Sequence, residues 1–122
     1  MIDVVVTFDE DFAGQKYDQL KKDVKNNTSK PDKPTYSQLL DKIDQTILLL
    51  KKNPTKGNLI PRMYLNKKTF DMYQTNKIFR IELIGYWRLL YTIIGHPDHK
   101  EVMVLDFMDH DKYNKIFNYR KR

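Results

Sequence analysis

The 122-residue chain is predicted to be one α+β domain: an N-terminal strand, a helical hairpin, then a three-stranded antiparallel meander. Three observations carry this. The first is a β-branched alternating run at the N-terminus. The second is a long amphipathic helix signature over residues 35–52. The third is a change of apolar period from helical to two after residue 76. The length, about that of a typical domain, supports a single unit over 1–122.

Ile2–Phe8 reads as a strand because Ile2, Val4, Val6 and Phe8 alternate with Asp3, Val5 and Thr7. Asp9, Glu10 and Asp11 suit a helix start, where carboxylates meet the positive end of the dipole. Phe12, Ala13, Tyr17, Leu20 and Val24 then fall at helical spacing, with Gly14 weakening the pattern. Asn26–Pro34 is polar, holds two prolines and reads as a loop. Thr35 and Gln38 form a capping-box pattern behind Pro34. Tyr36, Leu39, Leu40, Ile43, Ile47 and Leu50 give that second helix its core stripe. Lys51 and Lys52 suit its last turn, and Asn53-Pro54 ends it. Residues 55–76 hold a turn, a semi-extended run through Pro61 and a short helix over Lys67–Tyr73.

Lys77–Ile84, Tyr86–Ile94 and Glu101–Met108 are the three meander strands, punctuated by Gly85 and by Gly95-His-Pro-Asp-His. A short polar helix or turn over Asp109–Asn118 and a basic tail over Tyr119–Arg122 close the chain. Alternation places Phe79, Ile81, Leu83, Trp87, Leu89, Tyr91, Ile93, Met103, Leu105 and Phe107 toward the helices. It leaves Arg80, Glu82, Arg88, Thr92 and Asp106 on the other face. Two readings of that face stand: a solvated ladder of cross-strand ion pairs, or an anion-binding surface.

Composition removes several function classes. Without cysteine there is no disulfide framework, Cys-ligated zinc or thiol catalysis. Four glycines make no phosphate-cradling loop. An acidic N-terminus is unlike a signal peptide, and no apolar run is long enough to span a membrane. The expectation is a soluble cytoplasmic protein with no membrane partner, metal or small-molecule cofactor. His96, Asp98 and His99 are adjacent turn residues that read as solvated loop rather than as a metal site. The net charge of +6 is uneven. Residues 1–61 contribute +1 and residues 62–122 contribute +5, including all five arginines. Arginines concentrated among 11 of the 15 aromatics point to a phosphate-bearing partner.

Gly85-Tyr-Trp-Arg-Leu-Leu-Tyr-Thr-Ile resembles the central strand of the RelE/ParE toxin superfamily, and Val104-Leu-Asp-Phe-Met-Asp-His-Asp-Lys-Tyr resembles its last strand and exit. Lys52-Asn-Pro resembles the turn after its second helix. The likeness is sharp over residues 77–117 and otherwise lies in the order of elements. It implies a curved sheet with helices on one face, and the toxin of a type II toxin–antitoxin module. It further implies a ribosome-dependent, metal-independent mRNA endoribonuclease that inhibits translation. The implied partners are a cognate antitoxin, the ribosome and mRNA. Gyrase-poisoning members, and a non-catalytic interaction module, are the alternatives.

By the same resemblance Arg80 and Arg88 occupy basic catalytic positions, and His110 and Tyr113 lie in the segment supplying acid–base or stacking groups. Glu82 departs from the second basic residue common there and is a candidate base. The residue types suit the chemistry, since guanidinium forks bind two phosphate oxygens and imidazole exchanges protons near neutral pH. Arg62, Lys67, Lys68, Lys112 and Arg120 are candidate RNA-phosphate contacts.

Overall fold

The extended, β-branched runs assemble into one five-stranded sheet in the computed structural model, which describes residues 3–26 and 35–117. Its elements are β1 (Asp3–Phe8), α1 (Ala13–Lys25), α2 (Tyr36–Lys52), β2 (Asn58–Leu59), α3 (Lys67–Tyr73), β3 (Phe79–Glu82), β4 (Arg88–Gly95), β5 (His99–Met108) and α4 (His110–Phe117). The strand order is β1-β5-β4-β3-β2. The expected meander is present as β3-β4-β5. β1 adds in parallel beside β5, and β2 is an edge strand too short for periodicity to reveal. The loop at 27–34 and the tail from 118, with Arg120, lie outside the described residues.

The helical hairpin forms as its sequence dictates. Thr35 accepts from the Gln38 N–H and the Gln38 side chain accepts from the Thr35 N–H, a complete capping box. Leu39, Ile43 and Leu50 of α2 and Ala13 and Leu20 of α1 are buried against Leu89, Tyr91, Val102, Val104 and Phe107. Tyr17 of α1 donates to Asp44 of α2 at 2.6 Å, and burial and that carboxylate push its phenol up to about 12. The Tyr91 hydroxyl, beneath this layer, donates to the Pro54 carbonyl and accepts from the Gly57 N–H. It thereby pins the chain leaving α2. A side chain at Gly57 would meet the Arg80 carbonyl at 2.6 Å, so that close approach requires glycine.

Two expectations from strict alternation are corrected. The first concerns β5. Tyr91 pairs with Val104 while Leu90 pairs with Asp106, so β5 carries one extra residue in a β-bulge. The parity expected of Met103 and Leu105 is therefore inverted, while Phe107, beyond the bulge, keeps the expected face. Val102, Val104 and Phe107 face the hairpin, and Met103 and Leu105 face away from it. A uniform period of two cannot show such a shift.

The second correction concerns the far face, which is not a bare charged surface. Ile60, Tyr73, Ile78, Leu90, Leu105, Met108, Tyr113, Ile116 and Phe117 form a second buried cluster there. The segment 60–78 and α4 therefore make a third layer, and helices lie on both sides of the sheet rather than on one. Thr92 is buried under this layer, and Asp106 is 1% exposed. Asp106 is therefore no part of an open ionic face. Its carboxylate accepts from Lys16 of α1 at 2.6 Å, from the Tyr73 hydroxyl of α3 at 2.7 Å and from the Phe107 N–H. Burial, and next the Asp106 charge, push the Tyr73 phenol well above its ordinary value.

At the opposite end of the sheet, Glu101 of β5 joins β1 to the β4–β5 hairpin. It accepts from Thr7 at 2.6 Å, and its other oxygen lies 2.9 Å from His96 Nε2. The imidazoles of His96 and His99 stack at 4.3 Å. The Thr7 hydroxyl first, then His96, hold the Glu101 carboxyl below the usual glutamate range.

Two predictions follow from these buried and bridging carboxylates. Replacing Asp106 by alanine leaves the Tyr73 hydroxyl without its partner and should lower stability by about 3 kcal/mol. Asp106→Asn should lose less, and urea unfolding of both variants measures the difference. For Glu101, a depressed native pKa means its contribution is fully present above the unfolded-chain value of about 4.3. That contribution disappears as pH falls through the native value. Melting temperatures recorded from neutral to acid pH should therefore fall less steeply for Glu101→Gln than for the wild type.

Candidate functional site

The last rung of the β3–β4 ladder places Glu82 directly opposite Arg88, and the rung before it but one places Arg80 opposite Leu90. Alternation puts Arg80, Glu82 and Arg88 on one face, toward α4. There the sheet meets Tyr113, which is fully buried in the second cluster. The Arg80 guanidinium donates to the Tyr113 hydroxyl at 2.9 Å. The Arg88 guanidinium carbon lies 4.5 Å from the centre of the same ring, a cation–π distance. One aromatic side chain thus supports two arginines from beneath.

Glu82 completes the group. Its Oε2 lies 3.5 Å from Arg88 Nε, and the carboxylate is largely exposed while the Arg88 side chain is only 15% exposed. The separation satisfies an ion pair, but the buried Nε–H makes no hydrogen bond of good geometry. Burial of this donor beside an exposed carboxylate gives Arg88 a fixed position and retains an unsatisfied N–H.

His110 starts α4, just beyond the Met108–Arg88 rung, and so lies at the same end of the sheet. It is exposed, with Nε2 at 3.0 Å from the Asn114 amide nitrogen. The ring of Tyr86 sits 6.2 Å away, tilted by 55°. Tyr86 is 78% exposed and occupies the β3–β4 turn. The β period gave no reason to single it out; its signal was the Gly85-Tyr86 pair between two strands.

The structure therefore brings together Arg80, Glu82, Arg88, Tyr113 and, at the edge, His110. Tyr113 differs from the expectation in one respect. Its buried ring carries guanidinium groups and is closed to a nucleobase, so a stacking role is replaced by a supporting one. The more distant candidates do not converge. Lys112 is exposed and lines a groove of about 260 Å³ with Lys16, Leu20, Tyr36, Leu39 and Trp87, on the hairpin side. Arg62 and Lys67 line a different hollow with Phe70 of α3, and Lys67 pairs with Asp71 at 3.1 Å. Lys68 is exposed on α3. Among the described residues no cluster of three or more His, Asp or Glu is disposed to hold a metal ion. No helix among them is long and apolar enough to cross a membrane.

The fold is thus a five-stranded sheet with β1 parallel to the last strand, a helical hairpin on one side and a short helix beyond β5. Among solved structures, the chain resembles a YoeB/ParE toxin from Agrobacterium tumefaciens with a TM-score of 0.55. That likeness covers 87% of this chain and 98% of the other, at 14% sequence identity. No protein-family model matches the sequence, and no curated protein matches it.

Support by Tyr113 has a direct energetic test. Tyr113→Phe keeps the ring beneath Arg88 but removes the acceptor for Arg80, and should lower stability by about 1 kcal/mol. Tyr113→Ala empties the centre of the cluster and should lose roughly 3–5 kcal/mol. Equal losses in the two variants, measured by urea unfolding, would place the whole contribution in the hydroxyl and remove the ring's supporting role.

Proposed function

We propose that the chain is the toxin of a type II toxin–antitoxin module and acts as a ribosome-dependent, metal-independent mRNA endoribonuclease. The observation that carries this reading is the pair of guanidinium groups fixed on Tyr113, with Glu82 beside them and His110 at the same sheet end. The RelE/ParE-like fold supports it, and the partners it implies are an antitoxin, the ribosome and mRNA.

Each chemical task of metal-free RNA cleavage can be given to a residue at this end of the sheet. Glu82, an exposed carboxylate, takes the proton from the 2′-hydroxyl. The 2′-oxygen then attacks phosphorus, and Arg80 and Arg88 stabilise the additional negative charge on the phosphorane oxygens. The bond to the 5′-oxygen breaks as protonated His110 delivers its proton to that leaving group. The products are a 2′,3′-cyclic phosphate and a free 5′-hydroxyl.

One observation favours a second reading, a non-catalytic interaction module of the same fold: Arg88 is mostly buried and already faces Glu82. The two readings separate on one variant pair. Under the endoribonuclease reading, Arg88→Ala reduces the cleavage rate on programmed ribosomes by about a hundredfold or more. Its circular dichroism should stay native, and its induction should no longer arrest growth. Mapping RNA 5′ ends after induction gives the independent measure. New ends with the wild type and none with Arg88→Ala support cleavage. Growth arrest with DNA breaks and unchanged RNA ends would replace it with a gyrase-poison reading. No growth effect from the wild type would leave the interaction module.

A further inference from the structure

We propose that Tyr86 is a stacking platform for one unpaired nucleobase of the bound RNA, braced at its edge by His110. The inference rests on the endoribonuclease reading and specifies how that site holds its substrate.

The β3–β4 turn supports this in three ways. Gly85 and Tyr86 have φ values of 63° and 66°, and the Trp87 N–H closes the turn onto the Ile84 carbonyl. Positive φ at both central residues is the pattern of a type I′ hairpin turn, whose second position favours glycine or asparagine. A tyrosine there is held in a left-handed conformation that β-carbon sterics disfavour. Folding alone gives no reason to choose it, because its ring is 78% exposed and adds little to the core.

The placement of the ring is the second support. Tyr86 precedes Arg88 by two residues, which keeps their backbones within roughly 7 Å, and is therefore within one nucleotide's reach of the anchored guanidinium. The 55° tilt and 6.2 Å separation from His110 are an edge-to-face arrangement. A sandwich is thereby excluded, and a ring face of Tyr86 stays open to solvent. The third support is the closure of the alternative. Tyr113 was the aromatic expected to stack, and its ring is buried beneath Arg88. An exposed aromatic beside a phosphate-binding arginine is how single-stranded nucleic acid is held with little sequence dependence.

The test uses the full chain and a fluorescein-labelled 2′-O-methyl RNA hexamer, which cannot be cut, with binding followed by anisotropy. Tyr86→Ala should weaken binding roughly tenfold, within the range of losing one base–aromatic stack, and Tyr86→Phe should bind as the wild type does. Tyr86→Gly should also bind weakly yet melt at a higher temperature, because glycine accepts the turn without strain. Hexamers carrying one abasic ribose at successive positions locate the stacked base. At one position the substitution should weaken the wild type and leave Tyr86→Ala unaffected. Wild-type affinity in Tyr86→Ala, or an abasic effect equal in both proteins at every position, overturns the platform while the endoribonuclease reading stands. A wild type that neither binds nor cleaves RNA overturns both.

Discussion

The structure depends on how β5 serves two cores at once. A strand of strict alternation would send Val102, Val104 and Asp106 to one side and Met103, Leu105 and Phe107 to the other. The extra residue opposite Leu90/Tyr91 breaks that rule and delivers Phe107 to the helical hairpin. The bulge leaves Asp106 buried, and a buried carboxylate is tolerated only when its oxygens are satisfied. Lys16 comes from α1 and the Tyr73 hydroxyl from α3, so the carboxylate joins both outer layers through the sheet. Lys16 also donates to the Phe107 carbonyl, tying the same ammonium to the strand's irregular backbone. The polar network fixes the register at the point where hydrophobic burial alone would accept a slip.

That register decides the character of the candidate site. Met108 rather than Phe107 faces the second cluster next to Arg88, and α4 follows at once with Tyr113. Two guanidinium groups on neighbouring positions repel one another. Here a neutral ring takes the Arg80 hydrogen bond at its hydroxyl and the Arg88 charge near its face. Glu82 offsets part of the remaining charge from the open side.

Much of the scaffold was legible in the sequence. The capping box at Thr35 and Gln38, the α2 stripe and the short helix at Lys67–Tyr73 all reside in local pattern. So does the cross-strand grouping of Arg80, Glu82 and Arg88, since a single hairpin with a tight turn fixes its own register. The rest was not local. A bulge has no composition of its own here, because Leu105 and Asp106 read as ordinary members of an alternating run. The third layer was hidden for a related reason. Around Leu90 and Leu105 the strands are apolar on both faces, and a strand buried on two sides loses the alternation that would identify its faces. The buried state of Tyr113 followed from that layer, so its role as a support could not be read from Asp109-His-Asp-Lys-Tyr.

The two ends of the sheet contrast in how they treat local rules. At the β4–β5 turn, Glu101 is satisfied by Thr7 and His96, and the imidazoles stack on each other. At the β3–β4 turn, three local preferences are broken within a few residues. Tyr86 stands at positive φ, a large aromatic is left in solvent, and the buried Arg88 Nε–H lacks a well-formed hydrogen bond. Folding stability gains nothing from these departures, and each is the kind that persists where surrounding structure over-determines it. Natural sequences concentrate such inconsistencies at functional sites, because ligand contacts and fold contacts make different demands on the same residues. The Arg88 charge and the exposed ring are complementary to the two components of a nucleotide, an anionic oxygen and an aromatic base. Their adjacency, more than the chain's overall positive charge, is what directs the RNA reading to this end of the molecule.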